Sequence, residues 1–195
     1  MKYTKEFVDL FAKRELFSFR DVKMFLSQKG ASEAYQRIFL NNFIKRGDVL
    51  QISKGKYSFF KQIDFVEKTI LPSYHGLQDA LSLHKIWGQQ TIPILITPLK
   101  IRTGERKIAG GRVIVRRIKR EMYFGYETIV QGDFWVTVSD IEKTLLDFAY
   151  FNEPIDAQTL KVLKKKVNKG KLLQYLFLAG PIVTKKFHNR FGFVA

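Results

Sequence analysis

The stretch from Ser18 to Phe59 constrains the chain more than any other, because its helix ends and its turn are marked at fixed spacings. In "FSFRDVKMFLSQKG", Ser18 stands at an N-cap position, and Asp21, three residues on, supplies the acidic partner of a capping box. Gly30 closes that helix, because a glycine past the last turn adopts the left-handed conformation without a Cβ clash. Phe19, Val22, Phe25 and Leu26 give it one apolar stripe. The next segment, "ASEAYQRIFLNNFIKRG", repeats the pattern. Ser32 caps it, Lys45 and Arg46 oppose the negative end of the helix dipole, and Gly47 stops it. Upstream, Phe7, Leu10 and Phe11 at i, i+3, i+4 predict a short first helix. Downstream, residues 49–52 read as a strand, Ser53-Lys54-Gly55-Lys56 as a turn and residues 57–59 as the returning strand.

Three short helices followed by a small hairpin are the plan of a winged helix-turn-helix, here residues 1–62. In such domains the third helix enters the major groove and the hairpin tip touches the backbone. The polar side chains of the third helix are Ser32, Glu33, Gln36, Arg37 and Asn41. Gln and Asn pair bidentately with adenine, and Arg with guanine. Lys54 and Lys56 flank a glycine at the hairpin tip, within reach of phosphate. Apolar residues (Ala34, Tyr35, Ile38, Phe39, Leu40, Phe43, Ile44) nearly encircle the helix, so the sequence leaves open which face reads DNA.

Charge points the same way. The formal net charge is +16, distributed as +7 over residues 1–63, zero over 64–160 and +9 over 161–195, a segment with no Asp or Glu. Basic ends around a neutral middle predict two surfaces for a polyanion. Lys164, Lys165, Lys166, Lys185 and Lys186 form the second of these, a secondary basic surface. The absence of cysteine excludes disulfides and thiolate metal sites. No run of apolar residues is long enough to span a bilayer, and the charged "MKYTKEFVDLF" start has no signal-peptide core, so the expectation is a cytoplasmic protein with no membrane partner.

Residues 63–195 read as a second, α+β domain on a small sheet, giving an α+β fold class for the whole chain. Residues 62–73 form a linker or connecting helix closed by Pro72. A short helix carries Leu77, Ala80, Leu81 and His84. Strands are expected over 92–99 and 113–118, and one or two more within 123–140, where Phe134, Val136 and Val138 alternate. Leucine spacing predicts helix from about residue 156, interrupted at Gly170, with a strand-like basic tail from Pro181 onward.

"SDIEKTLLDF", residues 139–148, packs Asp140, Glu142, Lys143 and Asp147 together, which raises a metal-dependent nuclease as an alternative. On one helix Asp140 and Glu142 diverge by about 200°, too far to share an ion. Ser139 and Glu142 instead have capping-box spacing, and Ile141, Leu145 and Phe148 form a core stripe. That leaves Lys143 and Asp147 on the exposed side. His75, His84 and His188 are scattered and predict no metal site. A third alternative is a basic protein- or RNA-docking module.

Three stretches also carry a family likeness: "FIKRGDVLQISKGKYSF", "GLQDALSLHKIWGQQTIPILIT" and "VTVSDIEKTLLDF". In this order, across about residues 5–150, the chain resembles the AbiEi-like antitoxins of type IV toxin–antitoxin systems. The resemblance implies a winged-helix transcriptional regulator that binds inverted repeats in its own promoter; the DNA-binding mode fits a dimer on a two-fold operator and two monomers on paired half-sites alike. It also implies a C-terminal antitoxin domain acting against a nucleotidyltransferase-like toxin, with no cofactor and no catalytic residue. The basic tail matches this likeness least.

Overall fold

The structure is a computed structural model that describes residues 1–61, 66–89, 91–108 and 110–192. The chain divides into two compact units, residues 1–69 with 107–111 and residues 70–106 with 112–195.

The first unit contains α1 (Thr4–Phe11), β1 (Phe17–Ser18), α2 (Phe19–Gln28), α3 (Glu33–Lys45), β2 (Leu50–Ser53) and β3 (Lys56–Ser58). The three strands form an antiparallel sheet in the order β1-β3-β2. The Ser18 hydroxyl accepts from the Asp21 amide, and the Asp21 carboxylate accepts from the Ser18 amide, so the capping box is present as the spacing predicts. Ser32 caps α3 by accepting from the Tyr35 amide, and Gly30 and Gly47 both adopt positive φ after their helices. The two-residue β1 is too short to carry an alternating pattern. It becomes a strand only because Phe17 finds Tyr57 across the sheet. The core is aromatic. Phe7 is fully buried, and its ring lies 4.8–6.1 Å from those of Phe11, Phe17, Phe25, Phe39, Phe43 and Phe59. Edge-to-face pairs among them add to plain area burial. Leu10, expected on the apolar face of α1, is exposed.

Of the expected connecting segment, residues 62–65 lie outside the described residues, and a 3₁₀ turn covers Val66–Thr69. The chain continues with β4 (Tyr74–His75), α4 (Leu77–Leu83), β5 (Ile94–Thr97), β6 (Gly104–Ile108), β7 (Gly111–Arg117), β8 (Tyr126–Gln131), β9 (Phe134–Ser139), α5 (Ile141–Phe151), α6 (Ala157–Lys166) and α7 (Lys169–Phe191). The strands form a mixed six-stranded sheet in the order β6-β7-β5-β4-β9-β8. The β5–β7 and β4–β9 pairs are parallel, while β4–β5 and β8–β9 are antiparallel. Tyr74, Leu81 and Ile96 share one core with Leu145 and Phe148 of α5 and Leu176 and Phe187 of α7.

The tail is helical, which corrects the strand-like reading from Pro181 onward. Gly180 (φ 80°, ψ 170°) breaks α7, and Pro181 restarts it. Proline is tolerated in the first turn of a helix, where its missing N–H has no partner to lose. The Thr184 hydroxyl sits near the Leu176 and Gly180 carbonyls at the break, 2.8 and 2.9 Å away. Residues 193–195 lie outside the described residues.

Candidate nucleic-acid interface

The face of α3 that the sequence left open is defined by burial. Glu33, Ala34, Arg37, Ile38, Asn41 and Lys45 are exposed, at spacings of one and four residues that trace a single stripe. Phe39, Leu40 and Phe43 point into the aromatic core. Ile38 is 58% exposed. An apolar side chain set between Arg37 and Asn41 matches the chemistry of a thymine methyl group. Sequence reasoning counted Ile38 with the encircling apolar residues. No spacing separates it from them, because Tyr35 and Phe39, or Leu40 and Ile44, share the i, i+4 relation of Ala34 and Ile38; burial alone does.

Two of the expected base- and phosphate-contacting residues are placed otherwise. Gln36 is buried, and its side-chain amide donates to the Ser27 hydroxyl (3.0 Å) and the Ala31 carbonyl (2.8 Å). It ties α3 to the end of α2 instead of facing outward, because position 36 falls on the core side with Phe39 and Leu40. Lys56 is half-buried and donates to the Lys68 and Thr69 carbonyls at 2.9 and 3.0 Å. Burial holds its ammonium below the usual lysine range. Lys54, at the hairpin tip, is exposed. Ser32 is engaged as the α3 cap, and Glu33 pairs with Lys23 at 3.4 Å across exposed surface. The outward-facing set is therefore Arg37, Ile38, Asn41, Lys45 and Lys54, with Glu33 at its edge.

Of the secondary basic residues, Lys165 and Lys166 in the last turn of α6 and Lys185 and Lys186 on α7 are exposed. Lys164 donates to the Phe191 carbonyl at 2.9 Å, which fastens the end of α7 to α6.

The residues that raised a nuclease alternative form a different arrangement. The N-cap of α5 is Asp140, which accepts from the Lys143 amide at 2.8 Å, and not Ser139. The Ser139 hydroxyl is buried, 2.7 Å from that of Thr144. Because Asp140 precedes the helix, the 200° separation does not apply to it. Asp140 and Glu142 converge on Lys171 Nζ, at 3.0 and 3.5 Å. The remaining bonds to these carboxylates come from the Tyr175 hydroxyl to Asp140 (2.7 Å) and the Asn168 amide to Glu142 (2.7 Å). An ammonium thus occupies the position between the two acids. Burial opposes the charge on Lys171, but the Asp140 carboxylate outweighs it and leaves Lys171 raised. Tyr175 is pushed up to about 12 by burial and by the same carboxylate.

Lys143 and Asp147, expected on the exposed side, are fully buried and form an ion pair one turn apart. The Tyr74 hydroxyl donates to Asp147 at 2.9 Å, and the Lys143 ammonium lies over the rings of Tyr74 (5.4 Å) and Phe124 (5.3 Å). Burial pushes Lys143 down and Asp147 up, each opposed by the charge of the other. Among the described residues no three His, Asp or Glu side chains are grouped as a metal site. His75 and Asp79 meet at 2.6 Å, Asp79 also accepts from the Ile94 amide, and His84 Nε2 lies 2.7 Å from the Ser139 carbonyl. His84 thus holds the start of α5 against the end of α4. No helix among the described residues is long and apolar enough to cross a membrane. No family model matches the chain, and no curated protein matches it.

Proposed function

We propose that the chain is a sequence-specific DNA-binding regulator whose first unit acts as a winged helix-turn-helix, with α3 as the recognition helix and the β2–β3 hairpin as the wing. The observation that carries this reading is the exposed stripe Arg37–Ile38–Asn41–Lys45 on a helix seated on a packed aromatic core. Arg and Asn are the side chains that read guanine and adenine edges, and a rigid helix presents them with little ordering cost. Lys54 supplies a phosphate contact at the hairpin tip. The resemblance to AbiEi-like antitoxins extends the proposal to autorepression through inverted repeats and to a nucleotidyltransferase-like toxin as partner of the second unit. On this reading the protein performs no catalysis of its own.

Selection of bound duplexes from a random library, followed by affinity measurement on the enriched sequence, tests the core of this reading. Arg37→Ala or Asn41→Ala should cost roughly 1–3 kcal/mol on the enriched duplex and relax preference at one position. Lys54→Ala should weaken all duplexes alike. Enrichment of no sequence, or indifference of the preferred duplex to both α3 substitutions, would sink it.

A further inference from the structure

Averaging over residues 64–160 hides a strong local charge. Nine of the twelve cations in that span fall within residues 100–120, where the only acid is Glu105. The sheet topology then concentrates six of them. Strands β5 and β7 are parallel and in register from Ile94↔Ile114 to Thr97↔Arg117, and the Ile118 amide donates to the Thr97 carbonyl at 3.0 Å. Both strands therefore end on the same side, at one end of the sheet. Lys100 and Arg102 follow β5, Arg116 and Arg117 close β7, and Lys119 and Arg120 follow it. The carboxyl ends of parallel strands are the usual place for ligands in open sheets.

Five of these cations, Lys100, Arg102, Arg117, Lys119 and Arg120, are exposed, and none pairs with an acid among the described residues. Arg116 is committed to Glu153, and Glu105 lies 3.9 Å from Arg112. Beside them opens a cavity of about 490 Å³, lined in part by Thr103, Gly104, Arg116, Arg117 and Phe151.

We propose that this end of the β5–β7 sheet is a second binding surface, taking the phosphodiester backbone of duplex nucleic acid. The cations are exposed and spread over two chain segments, without a buried cradle that would hold one small anion. Repeated phosphates satisfy such a set, and each cation that meets one gains by releasing a condensed counterion. Arginine, three of the five exposed cations, suits phosphate through its planar fork of donors. The inference rests on the reading of the chain as a DNA-binding protein and adds a sequence-independent anchor to the base-reading helix.

The test uses the full chain carrying Arg102→Gln, Arg117→Gln, Lys119→Gln and Arg120→Gln together, with each single variant alongside. Affinity for an unrelated duplex is followed against salt concentration. Removing one phosphate-binding cation should flatten the slope of log K against log salt by about 0.9, so the quadruple variant should lose roughly 3–4 and each single variant about 1. Preference for the enriched duplex over the unrelated one should stay the same. A matched variant, Lys13→Gln, Lys85→Gln, Lys161→Gln and Lys169→Gln, removes equal charge at exposed lysines outside every basic surface named above, and an equal loss of slope there would reduce the effect to net charge and overturn the assignment. An unchanged slope in the quadruple variant overturns the surface while leaving the α3 reading intact. If polyglutamate displaces duplex as well as competing duplex does, charge for charge, the nucleic-acid assignment falls. Failure of the wild-type chain to bind any duplex removes both proposals.

Discussion

Lys143 and Asp147 show how far one residue's environment can depart from its local spacing. Charged side chains are almost never fully buried unless paired, so a charge off the core stripe of an amphipathic helix reads as solvent-facing. Here residues 142–149 of α5 are all buried, and the charges are neutralised by each other, by Tyr74 and by the two aromatic faces. Removing one partner strands the other without water. Lys143→Met or Asp147→Leu should each destabilise the second unit by about 3–5 kcal/mol in urea unfolding, and the two together by well under the sum. Additive losses in that cycle would show that the pair does not act as a unit. Gly125 is a second sensitive position: its φ is +69°, its carbonyl accepts from the Asp140 amide, and an added Cβ would meet Lys143 Cβ at 2.9 Å. Gly125→Ala should lower the melting temperature by more than Gly132→Ala, where φ is also positive but the surrounding space is open.

Helix ends are the element-scale features that local sequence carries well, because a cap joins residues only three apart. The Ser18–Asp21 box is one case, and Ser18→Ala should cost about 1 kcal/mol in chemical unfolding. The Asp21 carboxyl is held below its ordinary value by the Ser18 backbone amide and then the Ser18 hydroxyl. A carboxyl lowered on folding contributes stability above its unfolded value, and that contribution is lost as the pH falls through the folded one. Asp21→Asn should therefore narrow its stability gap to wild type as the solution is acidified below the ordinary aspartate range. A gap constant across that range would show that the carboxylate charge is irrelevant. The α5 cap lies one residue beyond the position its spacing suggests, for a physical reason. Ser139 and Asp140 are both good caps, and the choice falls to Asp140 because Ser139 still belongs to β9, with its hydroxyl beside Thr144 and its carbonyl beside His84. Similarly, the Gly180–Pro181 break resembles a helix end in sequence, but packing of Val183, Phe187 and Phe191 into the core resumes the helix beyond it.

At the scale of the whole molecule, charge and the aromatic core carry the predictions. Phe7 joins six other phenylalanines, and Phe7→Ala should cost about 3–5 kcal/mol and take the α3 stripe with it, so duplex preference and stability should fall together. A variant that lost this stability yet kept sequence preference at unchanged affinity would separate α3 from the core it sits on. The basic surfaces should make binding fall steeply with salt. The candidate interface was legible in part. Arg37, Asn41 and Lys54 stand out by residue type and spacing, and all three face outward. Gln36 and Lys56 were not separable from them, because a Gln or Lys reads as surface until the partners it finds elsewhere, Ser27 and Ala31 or Lys68 and Thr69, are known.

By itself the sequence determined the class of fold, the helices and hairpin of residues 1–59, their caps, and the excess of positive charge. All of these follow from composition or from interactions within a turn or two of chain. Tertiary structure alone decided which face of α3 is open, that the acid-rich segment at the start of α5 is a charge network closed by Lys171, and that six of the cations of residues 100–120 gather at one end of the β5–β7 pair. Each depends on chain segments that the fold brings together, and the parallel pairing of β5 with β7 leaves no local periodicity that announces which strand end meets which.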